Sequence, residues 1–183
     1  MIFLLVGPSA VGKTTLINEV KREEDDLYKL VSHTTRDSRE NEKDGREYFF
    51  FSEEEFLSLK EKGGFVETTE YRGTYYGLSR REIENVLSRR HGISAIDRSG
   101  LSSIEREYGD QVVSILVIPP SIEELRERMK VRYGENEKKI QNRLENVEKE
   151  LSNKDRFNYI LLNDDLNESI LELRKIYRGE TDG

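Results

Sequence analysis

The sequence predicts an α/β domain in which a mostly parallel sheet carries helices on both faces and a small α+β lobe is inserted. Three observations support this prediction. A short apolar run at 2–6 passes through a glycine-bounded loop into a helical pattern. Apolar strand patterns then alternate with amphipathic helical patterns along the 183 residues. Within residues 46–78, three short strand patterns and one helix are joined by tight turns, which is typical of an inserted lobe.

The composition excludes several classes of protein. Only 34% of the residues are hydrophobic and 37% are charged, so most helices should have one solvated face. The net charge of -7 argues against general binding to nucleic acid. The absence of Cys excludes disulfides and thiolate metal sites, and no apolar run approaches the length of a membrane span. We expect a soluble cytoplasmic protein, a monomer or homodimer, without a nucleic-acid or membrane partner.

The first loop, residues 7–15, reads GPSAVGKTT and matches the phosphate-binding pattern G-x-x-x-x-G-K-[ST]. Gly7 and Gly12 permit backbone angles at which successive N–H groups converge on one anion. The loop opens a helix, whose N-terminus favours negative charge. Lys13 adds a positive charge for the β- and γ-phosphates, and the Thr14 hydroxyl can ligate Mg²⁺. The alternative is an ordinary glycine-rich turn, which the preceding strand and following helix disfavour.

The remaining elements follow from periodicity and caps. In the first half, the patterns predict a helix at 14–22, a strand at 27–31, a polar loop at 32–42, a strand at 46–51, a helix at 53–62 opened by a Ser52/Glu55 capping box, a strand at 65–71, a turn at 72–74 and a further strand at 75–78. In the second half, they predict a helix at 79–89, a strand at 93–97, a helix at 101–108, a buried strand at 111–118, a Ser121-capped helix to 130, a polar loop at 133–137, a charged helix at 138–151, a strand at 157–162 and a helix at 167–177.

Two polar features leave alternatives open. The loop at 32–42 contains no apolar residue but carries Arg36 and Arg39, which could clamp a second phosphate because guanidinium groups bind oxyanions bidentately. Taken alone, a solvated loop explains it better. Asp97 ends a predicted strand, where it could act on Mg²⁺ or substrate, or could merely cap the next helix.

A third feature is the segment at 133–137, which has no apolar anchor and is bracketed by arginines. It could form a mobile lid that excludes water on closing. Much of the surrounding charge, however, forms i,i+4 pairs such as Glu124–Arg128 and Glu145–Lys149, which are ordinary on a helix surface.

Taken together, the motifs resemble those of the guanylate kinases over nearly the whole chain. The matching stretches, in the family's order, are GPSAVGKTTL at 7–16, VSHTTR at 31–36 with Arg39 and Glu42 after it, DGREYFF at 44–50, FVE ending at Glu67, YYG at 75–77, the Ile-Asp of Asp97, IPPSIEEL at 118–125, the arginines of the lid with Arg143-Leu144, and LNDDL at 162–166. The resemblance implies transfer of the ATP γ-phosphoryl group to GMP, and to dGMP, with Mg²⁺.

The resemblance also implies roles for individual residues. The ATP-binding residues would be Ser9, Ala10, Val11, Gly12, Lys13, Thr14, Thr15 and Asn163, the last near the ATP base. The GMP phosphate would be held by Arg36, Arg39, Tyr48 and Tyr76, and the guanine by Ser32, Glu67 and Asp97. The catalytic residues would be Lys13, Arg36, Arg128, Arg132 and Arg143. The metal would be held by Thr14, with Asp97 as a second candidate. A carboxylate such as Glu67 suits guanine, because it can accept from both N1–H and N2–H₂ and repels adenine N1.

The expected organisation is a core at about 1–31, 79–127 and 145–183, a GMP-binding lobe at about 32–78 and a lid at about 128–144. Three residues depart from the family pattern: Leu78 replaces a hydroxyl residue, Ala95 an acid and Ser99 a glutamine. These departures leave two alternatives open. One is a kinase of the same fold with another acceptor, such as ribose 1,5-bisphosphate, and the other is a non-catalytic binding module.

Overall fold

A computed structural model describes residues 1–71, 73–134, 136–145, 147, 151 and 153–182. The strands, in chain order, are β1 (Ile2–Val6), β2 (Leu27–Lys29), β3 (His33–Thr34), β4 (Phe49–Phe50), β5 (Phe65–Tyr71), β6 (Thr74–Ser79), β7 (His91–Ala95), β8 (Val112–Ile118) and β9 (Tyr159–Leu162). The helices described here are α1 (Lys13–Glu23), α2 (Glu53–Glu61), α3 (Arg80–Leu87), α4 (Arg98–Tyr108), α5 (Ile122–Tyr133), α6 (Glu137–Leu144) and α7 (Leu166–Thr181). None of these helices is both long and apolar enough to cross a lipid bilayer.

The central sheet has five strands in the order β2-β7-β1-β8-β9, and all of its pairings are parallel. The chain leaves β1 toward one edge and later adds β8 and β9 on the other side. Strand order therefore reverses at β1, and ligands of open α/β sheets bind beyond the carboxyl ends of strands at such a reversal. The phosphate-binding loop follows β1 at this place.

Alternate residues of β1 bury two separate cores. Phe3 and Leu5 pack on one face with the apolar sides of α1, α5 and α7, whereas Ile2, Leu4 and Val6 pack on the other with α3 and α4. All five β1 side chains are at most 2% exposed. A strand covered on both faces reads as a continuous apolar run, which is why β1 and β8 were predictable. The prediction of a mostly parallel sheet with helices on both faces is confirmed.

A second sheet, in the order β4-β3-β6-β5, takes its strands from residues 33–79. The β5–β6 hairpin is antiparallel, and its register pairs Glu67 with Leu78 and Thr69 with Tyr76. Helix α2 covers this sheet through Phe56, which stacks on Phe65 and Tyr75. The predicted capping box opens α2, since Ser52 and Glu55 exchange side-chain-to-backbone hydrogen bonds.

The structure corrects the interpretation of 32–42 as entirely loop. His33 and Thr34 form the buried strand β3, and His33 is only 7% exposed. Its imidazole packs against the rings of Phe49, Phe51 and Phe65, which belong to other segments of the chain. Burial lowers the pKa of His33, and its aromatic surroundings fit a packing role.

Several predicted boundaries were also wrong. The strands expected at 27–31 and 46–51 shorten to β2 and β4, and the strand expected at 93–97 runs from 91 to 95. Helix α5 continues to Tyr133. The charged helix expected at 138–151 is interrupted: α6 ends at Leu144, a turn follows at Glu145, and Val147 and Leu151 are again helical. The ion pair of Glu124 and Arg128 is present at 3.0 Å. Arg72 of the predicted turn, Glu135 of the predicted lid, Lys149 of the second predicted pair, and residues 146, 148 and 150 of the charged helix lie outside the described residues.

Candidate active site

The phosphate-binding loop joins β1 to α1 and is shaped by close backbone packing. A Cβ atom at Gly7 would lie 2.3 Å from the Val117 carbonyl oxygen, and one at Gly12 would lie 2.2 Å from Asn163 Nδ2. Both glycines also have positive φ, at 149° and 105°. The conformation and its surroundings therefore exclude side chains at these two positions.

The N-terminus of α1 is prepared for an anion. A side chain caps the N-terminus of five helices: α2, α3, α4, α5 and α7. The N-cap residue of α1 is Gly12, which offers no side chain, and the first turn of α1 contains no acidic residue. Lys13 Nζ turns back to donate to the carbonyl oxygens of Gly7 at 2.5 Å and Pro8 at 3.0 Å. The loop thus presents backbone N–H groups and one ammonium group at the same place.

On one side of the loop, the predicted ATP residues line a cavity of about 200 Å³. Its walls are Ala10, Val11, Gly12, Lys13, Thr14, Thr15, Arg128 and Arg132. Arg128 is fixed by Glu124 on its own helix and donates to the Asn163 carbonyl oxygen at 2.9 Å. The structure therefore brings two of the three predicted lid arginines to this cavity.

Asn163 does not lie in an open base pocket. Its side chain is 5% exposed and donates through Nδ2 to the Val11 carbonyl oxygen at 2.6 Å. Its backbone N–H donates to the Ile118 carbonyl oxygen at 2.8 Å. In this structure Asn163 supports the phosphate-binding loop from behind, a role that sequence reasoning missed because the contact spans 152 positions.

The third predicted lid arginine reaches the other side of the loop. Arg143 Nη1 donates to Ser9 Oγ at 2.7 Å, and its Nη2 lies 3.5 Å from the Tyr71 hydroxyl of β5. Arg143 therefore touches both the loop and the second sheet. Arg132, which lines the ATP-side cavity, also lowers the pKa of Tyr48, although burial dominates and leaves that pKa raised overall.

A basic and aromatic patch lies on the second sheet, at the predicted place of the GMP phosphate. The Arg36 guanidinium lies 5.2 Å from the centre of the Tyr48 ring, which is 6.0 Å from the Tyr76 ring. Glu42 pairs with both terminal nitrogens of Arg36 at 2.7 Å and also accepts from the Arg39 N–H at 2.9 Å. These hydrogen bonds, with that of Arg36 the stronger, lower the pKa of Glu42 to about 2.

Arg36, Tyr48 and Tyr76 are therefore brought together, while Arg39 joins them through its backbone contact with Glu42. Glu42 forms a two-point ion pair with Arg36, in the way that an anionic ligand would. The sequence comparison matched Glu42 to the family pattern but assigned it no role. Ser32, predicted at the guanine, is half-buried just before β3, and its carbonyl oxygen accepts from the Phe49 N–H.

Two carboxylates, Glu67 on β5 and Asp97 before α4, form the predicted base site. Glu67 packs against the first turn of α4, where a Cβ at Gly100 would come within 3.3 Å of Glu67 Cγ. Burial and, next, the nearby charge of Asp97 raise the pKa of Glu67 to about 7, opposed by a hydrogen bond from the Leu78 N–H. Glu67 therefore changes charge near neutral pH.

Asp97 lies two residues beyond the end of β7, where its side chain caps α4. A cap does not decide between the two interpretations, because a carboxylate can also accept from a ligand. Its Oδ1 accepts from the Gly100 N–H and from Ser99 Oγ, both at 2.8 Å, and its Oδ2 accepts from Thr69 Oγ1 at 3.1 Å. Thr69 was not predicted. It lies two positions after Glu67 on the same strand and so shares its face, which is the signal that could have identified it.

A cavity of about 510 Å³ connects the base site to the phosphate-binding loop. It is lined on one side by Val6, Gly7, Ser9 and Lys13 and on the other by Ala95, Ile96, Asp97, Arg98 and Ser99. Of the three departures from the family pattern, Ala95 and Ser99 border this cavity. Leu78 is 1% exposed and packs in the core beneath the second sheet.

Comparisons with known proteins agree with this geometry. The sequence model of the family described as guanylate kinase matches residues 1–180. Guanylate kinase of Thermotoga maritima is 39% identical over 180 residues, which cover 98% of this chain and 86% of that protein. The crystal structure of guanylate kinase from Anaplasma phagocytophilum superposes with a TM-score of 0.77 at 32% identity, covering 99% of this chain and 86% of the other. Shikimate kinase from Bacteroides thetaiotaomicron, at 17% identity and a TM-score of 0.55, shares the fold alone. The chain therefore belongs to the guanylate kinase family.

Proposed function

We propose that this chain phosphorylates GMP to GDP with ATP as donor, by holding the two nucleotides on opposite sides of one cleft. The observation that carries the proposal is the cavity shared by Lys13 of the phosphate-binding loop and Asp97 of the base site. Phosphoryl transfer requires a donor phosphate and an acceptor phosphate to meet in line. A common cavity between the two binding regions provides that meeting place.

On the donor side, the loop N–H groups and Lys13 hold the ATP phosphates, with Ser9 to Thr15 as the surrounding loop. Arg128, Arg132 and Arg143 add positive charge from the lid side, where charge develops on the transferring group. Asn163 maintains the loop conformation through Val11.

Thr14 fits a Mg²⁺ ion, because its exposed hydroxyl lines the ATP-side cavity beside Lys13 and oxygen is the ligand that Mg²⁺ prefers. Asp97 fits less well, since both of its carboxylate oxygens already accept hydrogen bonds from the protein. Bound there, Mg²⁺ would supply positive charge that offsets the charge of the phosphates. We therefore assign the metal to Thr14.

On the acceptor side, Arg36, Arg39, Tyr48 and Tyr76 hold the GMP phosphate. Arg36 exchanges its carboxylate partner Glu42, at least in part, for the phosphate, which offers the same paired oxygens. The lobe at about 32–78 carries this patch, and the segment at about 128–144 acts as the lid over the core.

Guanine is recognised by Glu67 and Asp97, with Ser32 nearby. The paired donors N1–H and N2–H₂ match carboxylate acceptors, whereas adenine offers an acceptor at N1 and would leave Glu67 unpaired. GMP and dGMP carry the same base and differ only in the 2′-hydroxyl of the sugar, so dGMP is also accepted. The acceptor phosphate is already ionised, so the reaction needs no general base. A cytoplasmic location and a monomeric or homodimeric state stay predictions.

A coupled assay with ATP and Mg²⁺ tests this function against GMP, dGMP, AMP, UMP, dTMP and ribose 1,5-bisphosphate. We expect turnover of GMP and dGMP, with kcat/KM exceeding that for AMP by on the order of 10³-fold or more. The Lys13→Ala variant is the control for a contaminating kinase. Preferred turnover of the sugar bisphosphate would overturn the guanine assignment. GMP binding without turnover of any acceptor would identify a binding module.

A further inference from the structure

Asp97 is held by three donors, and one of them comes from a different part of the fold. Ser99 Oγ and the Gly100 N–H belong to the first turn of α4 and would accompany any helix that Asp97 caps. The third donor, Thr69 Oγ1, lies 28 positions earlier on β5 of the second sheet. A helix cap does not need this contact, so it calls for another explanation.

Thr69 lies on the face of β5 that carries the acceptor-binding residues. The register pairs it with Tyr76 and pairs Glu67 with Leu78, so these four side chains lie on one side of the β5–β6 hairpin. Thr68, its neighbour, pairs with Gly77 and points to the opposite side. The Thr69 hydroxyl thus lies between the base-reading carboxylate and the phosphate-binding tyrosine.

The chemistry of the base gives this hydroxyl a purpose. Guanine presents three hydrogens along one edge, one on N1 and two on N2. A single carboxylate such as Glu67 can accept two of them with its two oxygens, which leaves one N2 hydrogen for another acceptor. A carboxylate has about four lone-pair positions, so the three donors on Asp97 leave one acceptor position open.

We propose that Thr69 is a positioning residue, which fixes Asp97 Oδ2 to accept from the exocyclic amino group of guanine and so sets the preference for GMP over IMP. The inference rests on the proposed function, because it assumes that the base binds between Glu67 and Asp97. IMP is the informative comparison, since hypoxanthine keeps O6 and N1–H but lacks the amino group.

The test compares three variants by calorimetric titration with GMP and with IMP, alongside kcat and KM for GMP. Thr69→Val removes the hydroxyl while keeping the β-branched shape that suits a strand, Thr69→Ser restores a hydroxyl, and Thr68→Val makes the same change on the opposite face. We expect Thr69→Val to raise the Kd for GMP about 10-fold, as for one hydrogen bond to a charged group, and to leave the Kd for IMP within twofold. Thr69→Ser should recover most of the loss, and Thr68→Val should bind both nucleotides normally.

A purely structural role predicts a different result. If Thr69 only braced β5 against α4, Thr69→Val would weaken GMP and IMP by the same factor, and that outcome would overturn the inference. Unchanged GMP binding in Thr69→Val would overturn it as well. Both outcomes differ from a failure of the proposed function, in which the unmodified enzyme would not turn over GMP at all.

Discussion

Replacing Glu67 by Gln should stabilise the free enzyme at pH 8 while weakening its binding of GMP. Burial, followed by the charge of Asp97, raises the pKa of Glu67 from 4.5 to about 7. An acid whose pKa is higher in the folded state than in the unfolded state holds its proton longer when folded. Its contribution to the free energy of unfolding is therefore fully present below pH 4.5 and is lost as the pH rises to 7.

The magnitude follows from that pKa difference. Each pKa unit corresponds to about 1.4 kcal/mol, so the ionised Glu67 side chain costs on the order of 3 kcal/mol of folding free energy above pH 7. Glutamine has nearly the same shape and no charge, so Glu67→Gln avoids this cost. Against GMP, however, the amide places an N–H donor where guanine also donates. We expect the Kd for GMP to rise on the order of 100-fold and that for ATP to change little.

Urea unfolding from pH 5 to pH 8.5 provides the assay. The difference in unfolding free energy between Glu67→Gln and the unmodified chain should grow with pH, by up to about 3 kcal/mol. Glu70→Gln removes the same charge from an exposed position on the same strand and is the control for a general loss of negative charge. Parallel curves for Glu67→Gln and the unmodified chain would refute the buried, raised-pKa carboxylate, and normal GMP binding by Glu67→Gln would refute its role at guanine.

Three further predictions concern the donor side. Lys13→Ala should lower kcat at least about 10³-fold in the coupled assay while calorimetric Tm stays within about 2 °C, because Lys13 is a partly exposed residue whose ammonium group provides the positive charge that the transferring phosphate needs. Arg132→Ala should lower kcat on the order of 100-fold, with a smaller effect on the Kd of either nucleotide, because this side chain lines the ATP-side cavity and its charge also acts on Tyr48 of the acceptor patch. Equal losses in both Kd values and none in kcat would contradict this prediction. Asn163→Ala should weaken ATP binding about 10-fold in calorimetric titrations and leave GMP unaffected, because the Val11 carbonyl loses its donor; a normal ATP affinity would show that the loop holds its shape without Asn163.

The phosphate-binding loop could be predicted from sequence because all of its parts are consecutive. The backbone of 7–15 builds the anion site by itself, and Lys13 and Thr14 follow at the start of the helix. The same holds for the helix caps at Ser52 and Ser121, where donor and acceptor are three residues apart. Local hydrogen bonds leave a local sequence pattern, and such patterns were interpreted correctly.

The supporting contacts could not be predicted in this way. Asn163 meets Val11 across 152 positions, Arg143 meets Ser9 across 134, and Thr69 meets Asp97 across 28. Each pair consists of common residues, in the first pair with a backbone carbonyl as the acceptor, and their contact depends on the packing of separate elements. His33 shows the same limit for burial, since its polar neighbours in sequence gave no sign of the three phenylalanines that enclose it.

The arginine patch and the base site differ in how their charged side chains affect the stability of the free enzyme. The phosphate patches use charges that can be neutralised before ligand arrives, as Glu42 does for Arg36. Among the described residues, Glu67 accepts a hydrogen bond from the Leu78 N–H but pairs with no cation, and its burial disfavours the charge that would meet guanine. In the proposed function guanine supplies further donors, so GMP should stabilise the chain more strongly at pH 8 than IMP does at the same free concentration. If Glu67 reads guanine as proposed, selectivity depends on an acceptor that is mostly buried and incompletely satisfied in the free enzyme, and the carboxylate rather than the arginine patch then distinguishes one purine from another.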